Sequence, residues 1–236
     1  MDKITIKELK SNAKEQLLGQ YGILGGATVV ISLFMIALSM VISVVTPEGD
    51  AGRAVSAIGQ LVIIFVEAIF LYGFSGMIIR TICNMPSLMS DLFDGFKDGH
   101  LIPVIHCELK LFLYTFFCFL PAGTALGLAF IFKDNMISAI AVGVAIVGIF
   151  VYVYVSLIYS FRYFCMLDFP GRRGKDYMRL SKEIIKGNEM KLLLIKLSFI
   201  PWDILILLSL GIASIWIKPY KRATEGNFYL YLMSRR

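Results

Sequence analysis

Charge is scarce in this chain. Asp, Glu, Lys and Arg make up 17% of its 236 residues, against roughly a quarter in an ordinary soluble domain. That shortage excludes disorder, which needs high charge and low hydrophobicity. Histidine is scarcer still, with only His100 and His106. Cys83, Cys107, Cys118 and Cys165 form no CxxC pair and give no zinc spacing with the two histidines. They read as small buried hydrophobes. GxSxG, HExxH, Walker and dinucleotide-binding patterns are absent. No catalytic residue, cofactor or metal is expected, and an enzyme is disfavoured. A cleavable signal peptide is not evident. Lys3, Lys7, Lys10 and Lys14 precede an apolar run of 24 residues, longer than a signal-peptide core of about 7–15.

Apolar residues are abundant: 58% of the chain is hydrophobic and its mean hydropathy is +0.76. One soluble core of this size cannot hide so much apolar surface. A helical span needs about 20 apolar residues. Runs at 22–45, 111–132 and 135–161 carry no charge, 54–79 carries only Glu67, and 192–217 carries Lys196 and Asp203. The runs do not alternate as barrel strands do. The expectation is an all-α polytopic membrane bundle. Its single domain has spans near 22–45, 54–79, 111–132, 135–161, 188–208 and 213–233.

Sidedness follows from the basic residues. Successive segments between the runs hold 4, 1, 3, 1 and 8 Lys plus Arg. The rich segments mark the cytoplasmic side. The loops at 46–53 and 133–134 then lie outside. The tail after 217 holds five more basic residues, which five single spans would put on the wrong side. Six helices, with a turn near 209–211, repair the conflict and leave both termini cytoplasmic. The alternative is a run that dips in at Pro201 and re-emerges on the same side.

Three segments look amphipathic. At 4–19, Thr5 and Glu8 fit a capping box. Ile6, Leu9, Ala13 and Leu17 share one face of that segment, which lies either in the headgroup layer or on the protein's own cytoplasmic face. At 87–97, Leu88, Leu92 and Phe96 align with Asp91 and Asp94 off that face. At 176–187, Tyr177, Leu180 and Ile184 align, next to the basic turn from Gly171 to Lys175. Anionic headgroups are the expected partner of this basic face; nucleic acid is not. The small-residue pairs Gly22/Gly26, Gly123/Gly127 and Ala139/Gly143 allow close helix approach and oligomerisation.

Four residues are candidate ligand or ion sites: Glu67, Arg80, Asp203 and Arg222. Glu67 sits in the middle of its run, where a carboxylate is costly and faces the bundle interior. It is either an ion or proton site or a protonated structural carboxylate. Asp203 follows Pro201 and Trp202, a pattern fitting either a broken-helix site or a kink with an interfacial Trp. The question for these four is whether they meet in one interior cavity. Arg162 and Asp168, at the end of the fourth run, suggest a local ion pair.

The C-terminal third carries a resemblance. Tyr159, Ser160, Tyr163, Asp168 and Pro170 form one element. Ser181, Lys182, Glu183, Lys186 and Gly187 form another. Residues 191–200 with Leu210, Gly211 and Ile212, then Pro219, Tyr220, Asn227, Phe228 and Tyr229, complete the pattern. The chain resembles the DUF975 family of uncharacterised bacterial integral membrane proteins. Its ending is distantly similar to membrane domains attached to glycerophosphodiester phosphodiesterases. Asn188, Glu189 and Met190 depart from the family's basic, aromatic tendency, and Pro201 stands where a glycine is usual. The resemblance implies a bacterial plasma membrane protein and supplies no reaction or ligand. Two functions follow as expectations: a non-enzymatic envelope accessory or lipid-interacting module, or a small transporter or channel using Glu67 and the break at Pro201 and Asp203.

Overall fold

The computed structural model describes residues 4–132 and 135–235. Among them the regular structure is helical, with no strand. The helices are α1 (Ile6–Gln16), α2 (Tyr21–Val45), α3 (Asp50–Ile82), α4 (Leu101–Phe132), α5 (Asn135–Ile158), α6 (Arg162–Asp168), α7 (Gly174–Ile185), α8 (Glu189–Leu197), α9 (Ile200–Leu208) and α10 (Ser214–Met233). A 3₁₀ segment, Met89–Phe96, lies between α3 and α4.

Four stretches are long and apolar enough to cross a bilayer: Tyr21–Val45, Asp50–Ile82, Leu101–Ile131 and Met136–Asp168. Only 6% to 22% of the most apolar window of each is buried inside the chain. A water-soluble monomer rarely exposes such continuous apolar surface. Facing lipid tails, it costs nothing to leave exposed. The protein is a multi-pass, membrane-embedded helical bundle. The turn expected at 133–134 lies outside the described residues.

The buried core sits toward one end of the spans. It joins α1, the second half of α3, α6, α7, α8 and α10. Phe161, Phe164, Phe228 and Tyr229 are fully buried there, with Leu9, Leu17, Met77, Ile78, Ile185 and Ile195 around them. Each such large side chain contributes roughly 1.5–3 kcal/mol by burial. α1 opens on the expected capping box: Thr5 N–H donates to the Glu8 carboxylate at 2.6 Å, and Glu8 N–H donates to Thr5 Oγ1 at 3.2 Å. Because Leu9, Ala13 and Leu17 are buried in this core, α1 packs on the protein itself. Of the cysteines, Cys107 and Cys165 are buried, Cys118 is half-buried and Cys83 is exposed.

The 3₁₀ segment folds back on α3 with backbone against backbone. A Cβ on Gly73 would lie 2.1 Å from the Leu92 carbonyl oxygen, and one on Gly95 would lie 2.4 Å from that of Ile69. This approach turns Asp91 and Asp94 toward α3, not away from it. By contrast, nothing in the described chain comes within 4 Å of a Cβ built on Gly22, Gly123, Gly127 or Gly143. The close approaches inside the chain are made by other glycines.

The expected single span at 188–208 is two short helices. α8 ends at Leu197 and α9 begins at Ile200, because Pro201 has no N–H to give the Leu197 carbonyl. The chain then reverses through 209–213, where Leu210 (φ 51°) and Gly211 (φ 90°) are left-handed. α10 returns antiparallel to α9: Lys221 Nζ meets Asp203 Oδ2 at 2.8 Å, and the Trp202 and Tyr220 ring centroids are 6.3 Å apart. The turn expected near 209–211 is therefore present.

Gly73→Ala forces α3 and the 3₁₀ segment apart. It should lower stability by about 1–3 kcal/mol, read as a lower melting temperature in detergent. Gly123→Ala, which meets open space, should leave the melting temperature unchanged.

Candidate functional site

A cavity of ≈ 250 Å³ opens between α2, α3 and α10. Each helix contributes one face at helical spacing. Thr28 and Ile31 come from α2, and Glu67, Leu71 and Phe74 from α3. Lys218, Lys221, Arg222 and Glu225 come from α10. The last four stand at i, i+3, i+4 and i+7, so they form one charged stripe along α10.

Two of the four sequence candidates, Glu67 and Arg222, line this cavity. Asp203 joins it at second hand, through its ion pair with Lys221. Arg80 is elsewhere. Its Nη1 is 2.7 Å from Asp91 and its Nη2 is 3.6 Å from Asp94, both in the 3₁₀ segment. The 13 residues separating Glu67 from Arg80 span about 20 Å of helix, too far for both to line one small cavity.

Arg222 is the most heavily engaged cation of this cavity. Its Nη2 and Nε donate to Ser75 Oγ at 2.8 and 3.2 Å, and its Nη1 donates to Glu225 Oε2 at 2.9 Å. Its guanidinium lies 4.4 Å from the Phe164 ring centroid. Lys196 approaches the other Glu225 oxygen at 4.0 Å and donates to Ser160 Oγ at 2.8 Å. Two cations thus share one buried carboxylate, tying α3, α8 and α10 together with the turn before α6. Among the described residues, neither Glu67 nor Lys218 has an ion pair or hydrogen bond within its own chain. The cavity therefore offers one free carboxylate, one free ammonium and a surplus of positive charge.

A second, half-buried pair departs from the expectation. Arg162 Nη2 meets Glu108 Oε2 at 2.8 Å, and Tyr163 OH donates to the same oxygen at 2.9 Å. Asp168 instead accepts from Tyr229 OH at 2.6 Å. Arg162 and Asp168 are six residues apart on α6, and only residues three or four apart face each other on a helix.

Of the stripe on α10, only Arg222 was among the four candidates. Its i, i+3, i+4, i+7 spacing could have flagged it. No sequence signal links Arg162 to Glu108, which lie 54 positions apart.

A family model described as a protein of unknown function, DUF975, matches residues 1–236. The chain belongs to the DUF975 family. No curated protein and no solved structure matches it significantly. The elements of DUF975 resemblance meet in the core: Ser160 holds Lys196, Asp168 holds Tyr229, and Ser181 Oγ donates to the Ile158 carbonyl at 2.9 Å.

Glu225→Gln leaves the half-buried Arg222 and Lys196 without a counter-charge. It should cost about 3 kcal/mol or more, seen as a large drop in melting temperature. Asp203→Asn, on a half-exposed pair, should cost under about 1 kcal/mol in the same measurement.

Proposed function

We propose that the protein is a non-enzymatic, lipid-interacting module of a bacterial plasma membrane, with both termini cytoplasmic. The observation that carries this reading is the cavity between α2, α3 and α10. It sets an unpaired carboxylate and an unpaired ammonium beside apolar walls. A phospholipid headgroup bearing phosphate and ammonium matches that pattern, with its phosphate toward Lys218 and its ammonium toward Glu67.

The C-terminal hairpin supports a location at the membrane boundary. α8 runs beside the lysine-rich α1: Lys191 Nζ donates to the Ile4 carbonyl at 2.5 Å and Lys10 Nζ to that of Ser198 at 2.9 Å. A helix level with a polar amphipathic helix does not cross a bilayer. The nine residues of α9 reach only about 14 Å, under half of a ~30 Å hydrocarbon core. The apolar tip has Leu207, Leu208 and Leu210 at 77%, 75% and 94% exposure. It fits a re-entrant hairpin whose turn satisfies its own backbone, since Gly211 N–H donates to the Ile206 carbonyl at 2.8 Å and Ala213 N–H to Ser209 Oγ at 2.9 Å. Four spans and a re-entrant hairpin bring the basic tail to the same side as the basic N-terminus.

A second reading, a small transporter, draws on the same free Glu67 and on the helix break beside Pro201. Liposome flux that Glu67→Gln abolishes would favour it.

Two measurements test the lipid reading. Leu210→Cys should resist a membrane-impermeant thiol reagent added outside intact cells; in a six-span protein it would be labelled. Native mass spectrometry should find phosphatidylethanolamine retained by the purified protein, with roughly tenfold less on Glu67→Gln or Lys218→Met, about the loss of one charge-assisted contact. Equal retention by all three proteins would overturn the assignment of the cavity.

A further inference from the structure

A second cavity, ≈ 430 Å³, lies where the beginnings of α4 and α7 meet. Its charge is of one sign. Arg172, Arg173 and Lys175 supply one side, and His106 with Ile102 and Pro103 supplies the other. Among the described residues, no carboxylate lines it. Asp176 reaches Arg173 only at 3.9 Å, and that arginine is 80% exposed.

The basic turn is held in place. Gly171 is left-handed at φ 83°. Arg172 N–H donates to Tyr177 OH at 3.0 Å, and that hydroxyl donates to the Phe169 carbonyl at 3.0 Å. The Arg172 guanidinium lies 5.1 Å from the Phe169 ring centroid. Gly174 sits so close to α4 that a Cβ there would be 2.7 Å from His106 Cδ2. Cys107 Sγ donates to the Gly174 carbonyl at 3.2 Å. The three cations are thus presented by a fixed turn against a fixed helix. α7 starts here without a side-chain cap; Asp176 N–H bonds the Arg173 carbonyl at 2.9 Å, which leaves the Gly174 and Lys175 N–H groups for an outside acceptor.

The level of the cavity narrows its ligand. His106 lies five residues, about 7.5 Å, before the charge-free stretch of α4 that begins at Leu111. The headgroup layer reaches about that far outside the hydrocarbon core. Ile102, 78% exposed, adds an apolar lip beside the cations.

We infer that this cavity is a phosphate-binding site, in which Arg172, Arg173 and Lys175 hold a phosphate group at the membrane surface. Guanidinium groups suit it, because their planar donor forks match phosphate oxygens. The site is separate from the α2–α3–α10 cavity and stands whether or not that cavity holds lipid. A phosphomonoester lipid headgroup and free phosphate share this chemistry, and the test separates them.

The full chain is placed in phosphatidylcholine nanodiscs. One arm adds phosphatidic acid to the bilayer; the other adds inorganic phosphate to the buffer. Binding is read as the rise in melting temperature with ligand. The expected result is tight binding in the lipid arm. The double variant Arg172→Gln/Arg173→Gln should weaken it at least about tenfold, since each basic residue near anionic lipid is worth about 1 kcal/mol. Arg179→Gln, on α7 outside the cavity, should bind as wild type. All substituted side chains are exposed, so the ligand-free melting temperatures should match. Binding in the phosphate arm alone, with the same sensitivity to the double variant, assigns the site to free phosphate. Binding in neither arm, or binding that the double variant leaves unchanged, overturns the site.

Discussion

Everything at the C-terminal end rests on the neutralisation of the charged stripe of α10. A cation removed from water is tolerated only when a counter-charge and hydrogen-bond acceptors replace the water. Glu225 supplies the charge for both Arg222 and Lys196, and Ser75 and Ser160 supply the remaining acceptors. These contacts fix α10 against α3 and α8 at once. The Lys221–Asp203 pair then fixes α9 against α10. Without this arrangement neither the hairpin nor the cavity beside it has a defined shape.

The chain divides its surface by solvent. The outer parts of α2, α4 and α5 bury little within the protein and present apolar side chains to lipid. The inner layer buries aromatic rings and ion pairs together. Both cavities lie along the seam between these regions, where apolar walls and charged groups are available side by side. Their charge differs because their sources differ. α10 contributes both signs to the first, while the turn before α7 contributes only arginine and lysine to the second.

Much of this was legible in advance wherever it depended on local pattern. The long apolar runs gave α2 and the apolar parts of α3, α4 and α5 because a bilayer span is a matter of length and hydropathy. Thr5 and Glu8 gave the start of α1, and Leu210 with Gly211 gave the reversal before α10. Glu67, a costly mid-span charge, and Arg222 were both candidates, and they line one cavity. Arg80 was a candidate beside them, but Asp91 and Asp94 engage it through a fold-back that hydropathy does not encode. The backbone contact at Gly73 and Gly95 is what creates that pairing.

By itself, the sequence determined the four long apolar helices and the capped start of α1, because span length, hydropathy and a capping box are local properties. Only the tertiary structure decided which charge meets which. Arg162 finds Glu108 across 54 residues, Lys196 finds Glu225, and Lys218 and Glu67 are left without partners. Ion pairing depends on distances of a few ångströms between side chains far apart in the chain. Those distances are set by how closely helices approach, and that closeness is decided by particular glycines and by the fit of buried rings.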